Sequence, residues 1–251
     1  MTHRITLYFG SFNPIHRGHL AVAERVVESG LCDELWYIIS PHNPHKVCVD
    51  LADEQQRLLM ARMAVAESRY SQRLKVCDVE FSLPRPSYTI DTLDHLCKEY
   101  PDTEFSILMG GDNAAKIETW KEWERLISSY KIIVYPRRDE VVDERFTLLD
   151  NVPLLDISST AIREAVADQK PIDKFVTPAI ASYIEAHPEL WSRAEVLRAR
   201  GKRRFAESNF GGAINDFVAV SRLCGGDEEA DQMANMAREI LDFRYKDIYN
   251  P

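Results

Sequence analysis

Along the first 157 residues the spacing of apolar positions switches repeatedly between a period of two and a helical period. Residues 5–9 (ITLYF) form a β-prone run closed by Gly10. After a Ser-Phe-Asn-Pro loop, Leu20, Ala23, Val26 and Val27 share one face of a helix predicted from about Arg17 to Glu28, with Gly30 as its stop. A second apolar run, ELWYIIS (34–40), ends at Pro41, and an Asp-Glu start opens a helix from Asp53 to Glu67. The alternation continues with LKVCDVEF (74–81), a helix from about Ile90 to Glu99, FSILMGG (105–111), a Trp-rich helix near Glu118 to Leu126, and KIIVYP (131–136). Strands alternating with helices predict an α/β fold: a doubly wound, mostly parallel sheet covered on both faces.

The remainder reads as helix. The sheet is expected to finish by about residue 157, with helices over Ala161–Val166 and over Pro178–Ala186, the latter opened by a proline in its first turn. Beyond His187-Pro188 the chain gathers Arg193, Arg198, Arg200, Lys202, Arg203 and Arg204, then Asp227, Glu228, Glu229 and Asp231. This shift places a boundary near 190, giving a main domain (1–190) and a small all-helical C-terminal extension (191–251). In the extension, Gly201, Phe205, Phe210, Ala213 and Phe217 fall close to the spacing of a tetratricopeptide unit, followed by a third helix from Glu228 to Phe243, and the segment resembles one such repeat. It departs from the pattern at Leu197 and in the proline-free Cys224-Gly225-Gly226 turn. One repeat cannot stack on copies of itself. Its apolar side must therefore cover the main domain, a second subunit in a homo-oligomer, or a protein partner, and a packing cap is preferred over a recruiting module.

Composition narrows the function classes. A chain of 251 residues with 45% hydrophobic content is long enough for one full α/β core. Its 31 Lys and Arg against 40 Asp and Glu leave a net charge of -9, which argues against a nucleic-acid partner. The five cysteines are dispersed and form no CxxC pair, so they read as reduced thiols, neither disulfides nor metal ligands. Neither a signal-peptide core nor a run approaching the roughly 20 apolar residues of a membrane span is present, so a cytoplasmic protein without a membrane partner is expected.

The chemistry concentrates in Gly10-Ser11-Phe12-Asn13-Pro14-Ile15-His16-Arg17-Gly18-His19, where the first strand hands over to the first helix. Unpaired backbone N–H groups of a glycine-led loop and a helix start favour an anion there. His16 and His19 project from one side of that turn and can donate to phosphate oxygens, while Gly18 leaves room for a nucleotide to approach. A capping or core role for the two histidines is the alternative. Ser158, Ser159 and Thr160 are good N-caps for a second anion site, and Arg163, one turn on, offers a planar charged fork; a simple helix cap with a surface arginine is the alternative, which the pairing with the two histidines outweighs. Lys46 could reach phosphate or remain a solvated surface lysine. For a second pocket, the Ser87-Tyr88-Thr89 segment could bind a small carboxylate or be an ordinary helix cap, and of Trp120 and Trp123, three apart on a helix, one could offer a flat face to a cationic ring while the other belongs to the core. Asp112, after Gly110-Gly111 at a strand end, suits a ribose hydroxyl or a turn, and Arg137 follows Tyr135-Pro136 near the same edge.

GSFNPIHRGHL resembles the HxGH signature of the nucleotidyltransferase superfamily, in the form seen in bacterial nicotinate-nucleotide adenylyltransferases. SPHNPHK (40–46), PSYTIDTL (86–93), MGGDNAAKIETWKEWE (109–124) and ISSTAIR (157–163) resemble further segments of that family, so that the likeness covers residues 4–187 in the family's order. Asn13 and Asn43 stand where Asp and Pro are commoner. The resemblance implies a Rossmann-like fold and transfer of AMP from ATP to nicotinate mononucleotide, giving nicotinate adenine dinucleotide and pyrophosphate. It implies that His16 and His19 are the catalytic residues, and that Gly10, Ser11, Phe12, Gly18, Lys46, Gly110, Asp112, Arg137, Ile157, Ser159, Thr160 and Arg163 serve ATP. Lys46, Ser87, Tyr88, Thr89 and Trp120 are implied for nicotinate mononucleotide. Mg2+ is expected to arrive with ATP, because no carboxylate cage is evident. The rivals are the same chemistry on another phosphorylated acceptor, nicotinamide mononucleotide or phosphopantetheine, and a non-catalytic nucleotide-sensing scaffold. A tRNA-charging role is disfavoured by the acidic charge.

Overall fold

Strand β1 (His3–Gly10) is buried from Ile5 to Tyr8, as a strand with neighbours on both edges requires. The computed structural model describes residues 2–41, 51–136, 143–153, 155–188 and 190–248. Among these, β1 is joined in parallel by β2 (Glu34–Ile39), β3 (Leu74–Cys77), β4 (Thr103–Gly110), β5 (Lys131–Tyr135) and β6 (Thr147–Leu148) in the order β3-β2-β1-β4-β5-β6. The order reverses between β1 and β4. Crossovers leave a crevice at that point, outside the carboxyl ends of the strands, where doubly wound folds bind ligands.

Helices α1 (Arg17–Glu28), α2 (Glu54–Ala66) and α3 (Thr89–Glu99) follow β1, β2 and β3, and the single turn α4 (Gly111–Ala114) and α5 (Trp123–Ser129) both lie between β4 and β5. Leu20, Ala23, Val26 and Val27 are buried on α1, the face expected from their spacing, and Asp53 caps α2 by accepting from the Gln55 N–H at 2.9 Å. A core of Leu7, Ile90, Leu93, Phe105, Ile107, Leu126 and Val134 closes one side of the sheet. The chain then continues through α6 (Ser159–Ala167), α7 (Pro178–Ala186), α8 (Arg193–Ala206), α9 (Phe210–Cys224) and α10 (Glu228–Ile248).

Three local expectations are corrected, and one short strand is added to them. The strand expected over 74–81 ends at Cys77, and Val79–Phe81 form a 3-10 turn that buries the Glu80 side chain. The helix expected over 118–126 is broken: Trp120 is extended, Glu122 is left-handed at φ 51°, and α5 begins only at Trp123. The two tryptophans therefore do not share a helix, and it is Trp120 that packs on the core. β6, two residues paired to Ile133 and Val134, carries too little pattern to be read from sequence. The last helix runs past Phe243 to Ile248.

The chain divides into two compact units. One comprises the described residues up to 41 and those within 52–162 and 172–185, and the other comprises residue 51 and the described residues within 163–171 and 186–248. Within the second, α8, α9 and α10 enclose Leu197, Ala213, Phe217, Val220, Ala230 and Ala234. Gly201 is small for a reason: a Cβ there would meet the Phe217 ring at 2.9 Å. The turn after α9 closes without proline because Gly225 and Gly226 both take positive φ, and Asp227 then caps α10 through the Ala230 N–H. The basic run on α8 is largely neutralised from within, since the buried Asp216 carboxylate accepts from both Arg200 and Arg204, and Asp227 pairs with Arg198.

Candidate active site

The loop after β1 folds back under its own glycine. Phe12, left-handed at φ 45° and buried, lays its ring over Gly10, where a Cβ would stand 2.8 Å from the ring edge. That ring meets His19 edge-on at 5.0 Å and Tyr37 at 5.3 Å. The His16 and His19 imidazoles stack at 3.7 Å, inclined by 25°. His19 Nδ1 accepts from the His16 backbone N–H at 3.3 Å, and the His19 carbonyl accepts from Tyr37 Oη at 3.2 Å. A neutral His19 that accepts at Nδ1 carries its proton on Nε2, a donor. The capping role and the donor role are thus held by opposite edges of one ring.

Two cavities open along the carboxyl ends of the strands. One, of about 620 Å³, is lined by Tyr8, His16, Gly18, His19, Tyr135 and the segment from Leu155 to Ser158, which includes Ile157. The Tyr8 and Tyr135 hydroxyls meet at 2.8 Å at its base. The other, of about 440 Å³, is lined by Gly10, Ser40, Glu80, Ser87, Tyr88, Thr89, Asp112, Lys116, Trp120 and Lys121. Lys121 lies over the Tyr88 ring at 5.1 Å and is held by Asp91 at 2.7 Å, a hydrogen bond that raises the lysine's affinity for its proton.

The sequence-derived candidates distribute unevenly between these cavities. His16, Gly18, His19 and Ile157 meet in the first; Ser87, Tyr88, Thr89 and Trp120 meet in the second, joined by Gly10 and Asp112, which were expected on the ATP side. Ser11 and Phe12 shape the loop from behind. Gly110 makes space for Asp112, whose Oδ1 would lie 2.6 Å from an added Cβ. Ser158 supplies the cap of α6, accepting from the Ala161 N–H at 3.1 Å, while Ser159 Oγ donates to the Pro14 carbonyl at 3.0 Å and so ties α6 to the histidine loop. Thr160 lies in the first turn of α6, and Arg163 is buried one turn on. Lys46 and Arg137 lie outside the described residues.

Gly18 serves a neighbour as much as any ligand, for a Cβ on it would approach the His16 ring at 3.0 Å. Gly18→Ala is expected to leave thermal stability unchanged or raised by up to about 1 kcal/mol, the helix-propensity gain, while displacing His16 and lowering turnover on the order of tenfold. Unchanged turnover would mean that the His16 ring position is not what Gly18 protects.

Two residues escaped the sequence reading. Arg57 on α2 is 1% exposed and donates to the carbonyls of Ser11, Ser40, Pro41 and Ala52, binding the loop after β1 to the loop after β2. Glu80 is 2% exposed, with Oε1 accepting from Thr92 Oγ1 at 2.9 Å. Burial pushes its carboxyl above the ordinary glutamate range, against the hydroxyls of Thr92, Ser40 and Ser87, which pull it down. A folded-state value above the unfolded one means that this side chain's contribution to stability is full below the unfolded value and declines as pH rises through the folded one. The melting temperature of Glu80→Gln minus that of the wild type should therefore climb from acid toward neutral pH and then level off. A difference independent of pH would show that the carboxyl titrates alike in the folded and the unfolded chain, so that burial does not raise it.

Residues 7–165 match the sequence model of the cytidylyltransferase-like family. A "Probable nicotinate-nucleotide adenylyltransferase" of Bacteroides fragilis is 45% identical over 179 residues, covering 69% of this chain and 87% of the relative. One of the same name from Flavobacterium psychrophilum is 39% identical over 188 residues, covering 72% and 96%. Among solved structures, the nicotinic acid mononucleotide adenylyltransferase of Plasmodium falciparum complexed with NaAD superposes with a TM-score of 0.64 at 23% identity, covering 75% of this chain and 98% of that one, a likeness of fold.

Proposed function

Since the chain belongs to the cytidylyltransferase-like family and, within it, to the nicotinate-nucleotide adenylyltransferases, we propose that it transfers the adenylyl group of ATP to nicotinate mononucleotide in NAD biosynthesis. The observation that carries this reading is the pair of cavities on either side of the carboxyl end of β1, one walled by the two histidines and the other by Ser87, Tyr88, Thr89 and Trp120. Two cavities sharing that strand end suit two ligands whose reacting phosphates must meet.

A phosphate oxygen of the mononucleotide attacks the α-phosphorus of ATP in line, the new P–O bond forms as the bond to the β-phosphate bridge breaks, and pyrophosphate leaves with the electron pair. The attacking oxygen is already anionic, so no protein nucleophile is needed and the chain's task is alignment and charge compensation. The HxGH histidines His16 and His19 donate to the α- and β-phosphate oxygens. Ser159, Thr160 and Arg163 serve the β- and γ-phosphates, with Lys46 and Arg137 as further positive groups and Ile157 beside the nucleotide. Trp120 stacks on the pyridinium ring while the Ser87–Thr89 segment holds its carboxylate. Mg2+, carried in on ATP, would offset phosphate charge; the donor set of the histidine cavity, hydroxyls and imidazoles with Asp156 as the one carboxylate among its described lining residues, fits an ion held mainly by substrate. The reaction belongs in the cytoplasm, and the tetratricopeptide-like residues 191–251 act as a packing cap or an oligomer contact.

The test is pyrophosphate release with ATP and Mg2+, offering nicotinate mononucleotide and nicotinamide mononucleotide in parallel. Rapid release with the acid supports the reading. Release with neither would redirect the search to another phosphorylated acceptor.

A further inference from the structure

The floor of the acceptor cavity holds two polar atoms that the chain itself leaves without hydrogen-bond partners. Glu80 Oε2 and Ser87 Oγ are both buried and both unpartnered, although Glu80 Oε1 is bound to Thr92 on α3. A buried polar atom without a partner is costly, and a pair of them facing one cavity is explained if a ligand completes the set. Ser87 lies close enough for its hydroxyl to act on the Glu80 carboxyl, as does Ser40 at the end of β2. The charged side chains on the same cavity's walls are Asp112, Lys116 and Lys121; the neighbours that act on Glu80 itself are hydroxyls.

A hydroxyl has one hydrogen to give, so what Ser87 offers a ligand depends on what Glu80 takes. Glu80 Oε2 and Ser87 Oγ do not meet as a hydrogen bond in the structure, but the nearby carboxyl still biases which way the hydroxyl turns. An ionised Glu80 attracts the Ser87 hydrogen inward, which turns the Ser87 lone pairs toward the cavity, whereas a neutral Glu80 turns its own hydrogen toward Ser87 Oγ and leaves the Ser87 hydrogen pointing outward. The first arrangement suits a ligand that donates, such as a carboxamide NH2; the second suits one that only accepts, a carboxylate. Charge acts in the same direction, since an ionised Glu80 in this low-dielectric floor repels a ligand carboxylate and a neutral one does not.

We propose that Glu80 is a positioning residue that sets the enzyme's choice between the acid and the amide acceptor, acting through the Ser87 hydroxyl. The inference rests on the pyridine mononucleotide reading of this cavity. It assigns acid preference to the neutral form of Glu80 and a relaxed preference to its ionised form, so selectivity falls as pH rises.

The experiment measures kcat/KM for nicotinate mononucleotide and nicotinamide mononucleotide with the full-length chain, ATP and Mg2+, from about pH 5 to about pH 9, and takes their ratio. Ionisation of ATP and of the acceptor phosphate is common to both substrates and divides out. In the wild type the acid-to-amide ratio should fall with rising pH, by up to about tenfold per pH unit through the titration of one group. Glu80→Gln, checked by thermal melting, should make the ratio independent of pH, and Ser87→Ala should flatten it as well. A flat ratio in the wild type overturns the proposal even if the variants do not fold, as does an undiminished slope in a folded Glu80→Gln. Turnover of neither acceptor by the wild type would instead remove the acceptor reading on which the proposal stands.

Discussion

Replacing His19 by alanine should lower kcat for pyrophosphate release on the order of 10²- to 10³-fold, the usual loss when one preorganised donor to a developing charge is removed, while the chain still folds. The geometry separates the two effects. The His19 ring stacks on His16, meets Phe12 edge-on and caps the His16 N–H through Nδ1. Loss of such a cap costs about 1 kcal/mol, a small part of the roughly 5–15 kcal/mol by which domains are stable. Steady-state kinetics and thermal melting on the same preparation decide the matter. If the melting temperature collapses together with the activity, His19 is a structural histidine and the catalytic assignment fails.

The largest expected effect on stability comes from Arg57→Met. The arginine is buried and spans four backbone carbonyls, with donor distances of 3.0, 2.7, 2.8 and 3.3 Å to Ala52, Ser11, Ser40 and Pro41. Methionine fills most of the volume and supplies none of the donors. Stranding buried acceptors in this way costs roughly 3–5 kcal/mol, which for a chain of this size lowers the melting temperature by about 10 °C. Turnover should fall as well, because Ser11 lies in the histidine loop and Ser40 lines the acceptor cavity. A melting temperature within about 2 °C of the wild type would show that water replaces the guanidinium without loss.

Both residues missed from sequence show where such reading stops. Arg57 sits in a helix whose spacing gives no sign that one charged position faces four carbonyls from two distant loops. Glu80 sits in an apolar run that reads as strand, and only the turn after Cys77 carries its carboxyl under the acceptor cavity. The same limit applies to Trp120 and Trp123: their spacing suggests a shared helix, but the positive φ of Glu122 separates them and leaves Trp120 alone on the cavity wall.

The sequence by itself determined the order of elements, because a period of two or of 3.6 is a local property and survives in any chain that must bury one face. It also determined the glycine-led loop with two histidines at the first helix, since backbone conformation and helix start are set within a few residues. Tertiary structure decided the strand order and its reversal between β1 and β4, the division of the candidate residues between two cavities, and the company kept by Arg57 and Glu80. Those outcomes depend on contacts between segments far apart in the chain, and the hydrogen-bond partner of a buried charge leaves no local periodicity to read.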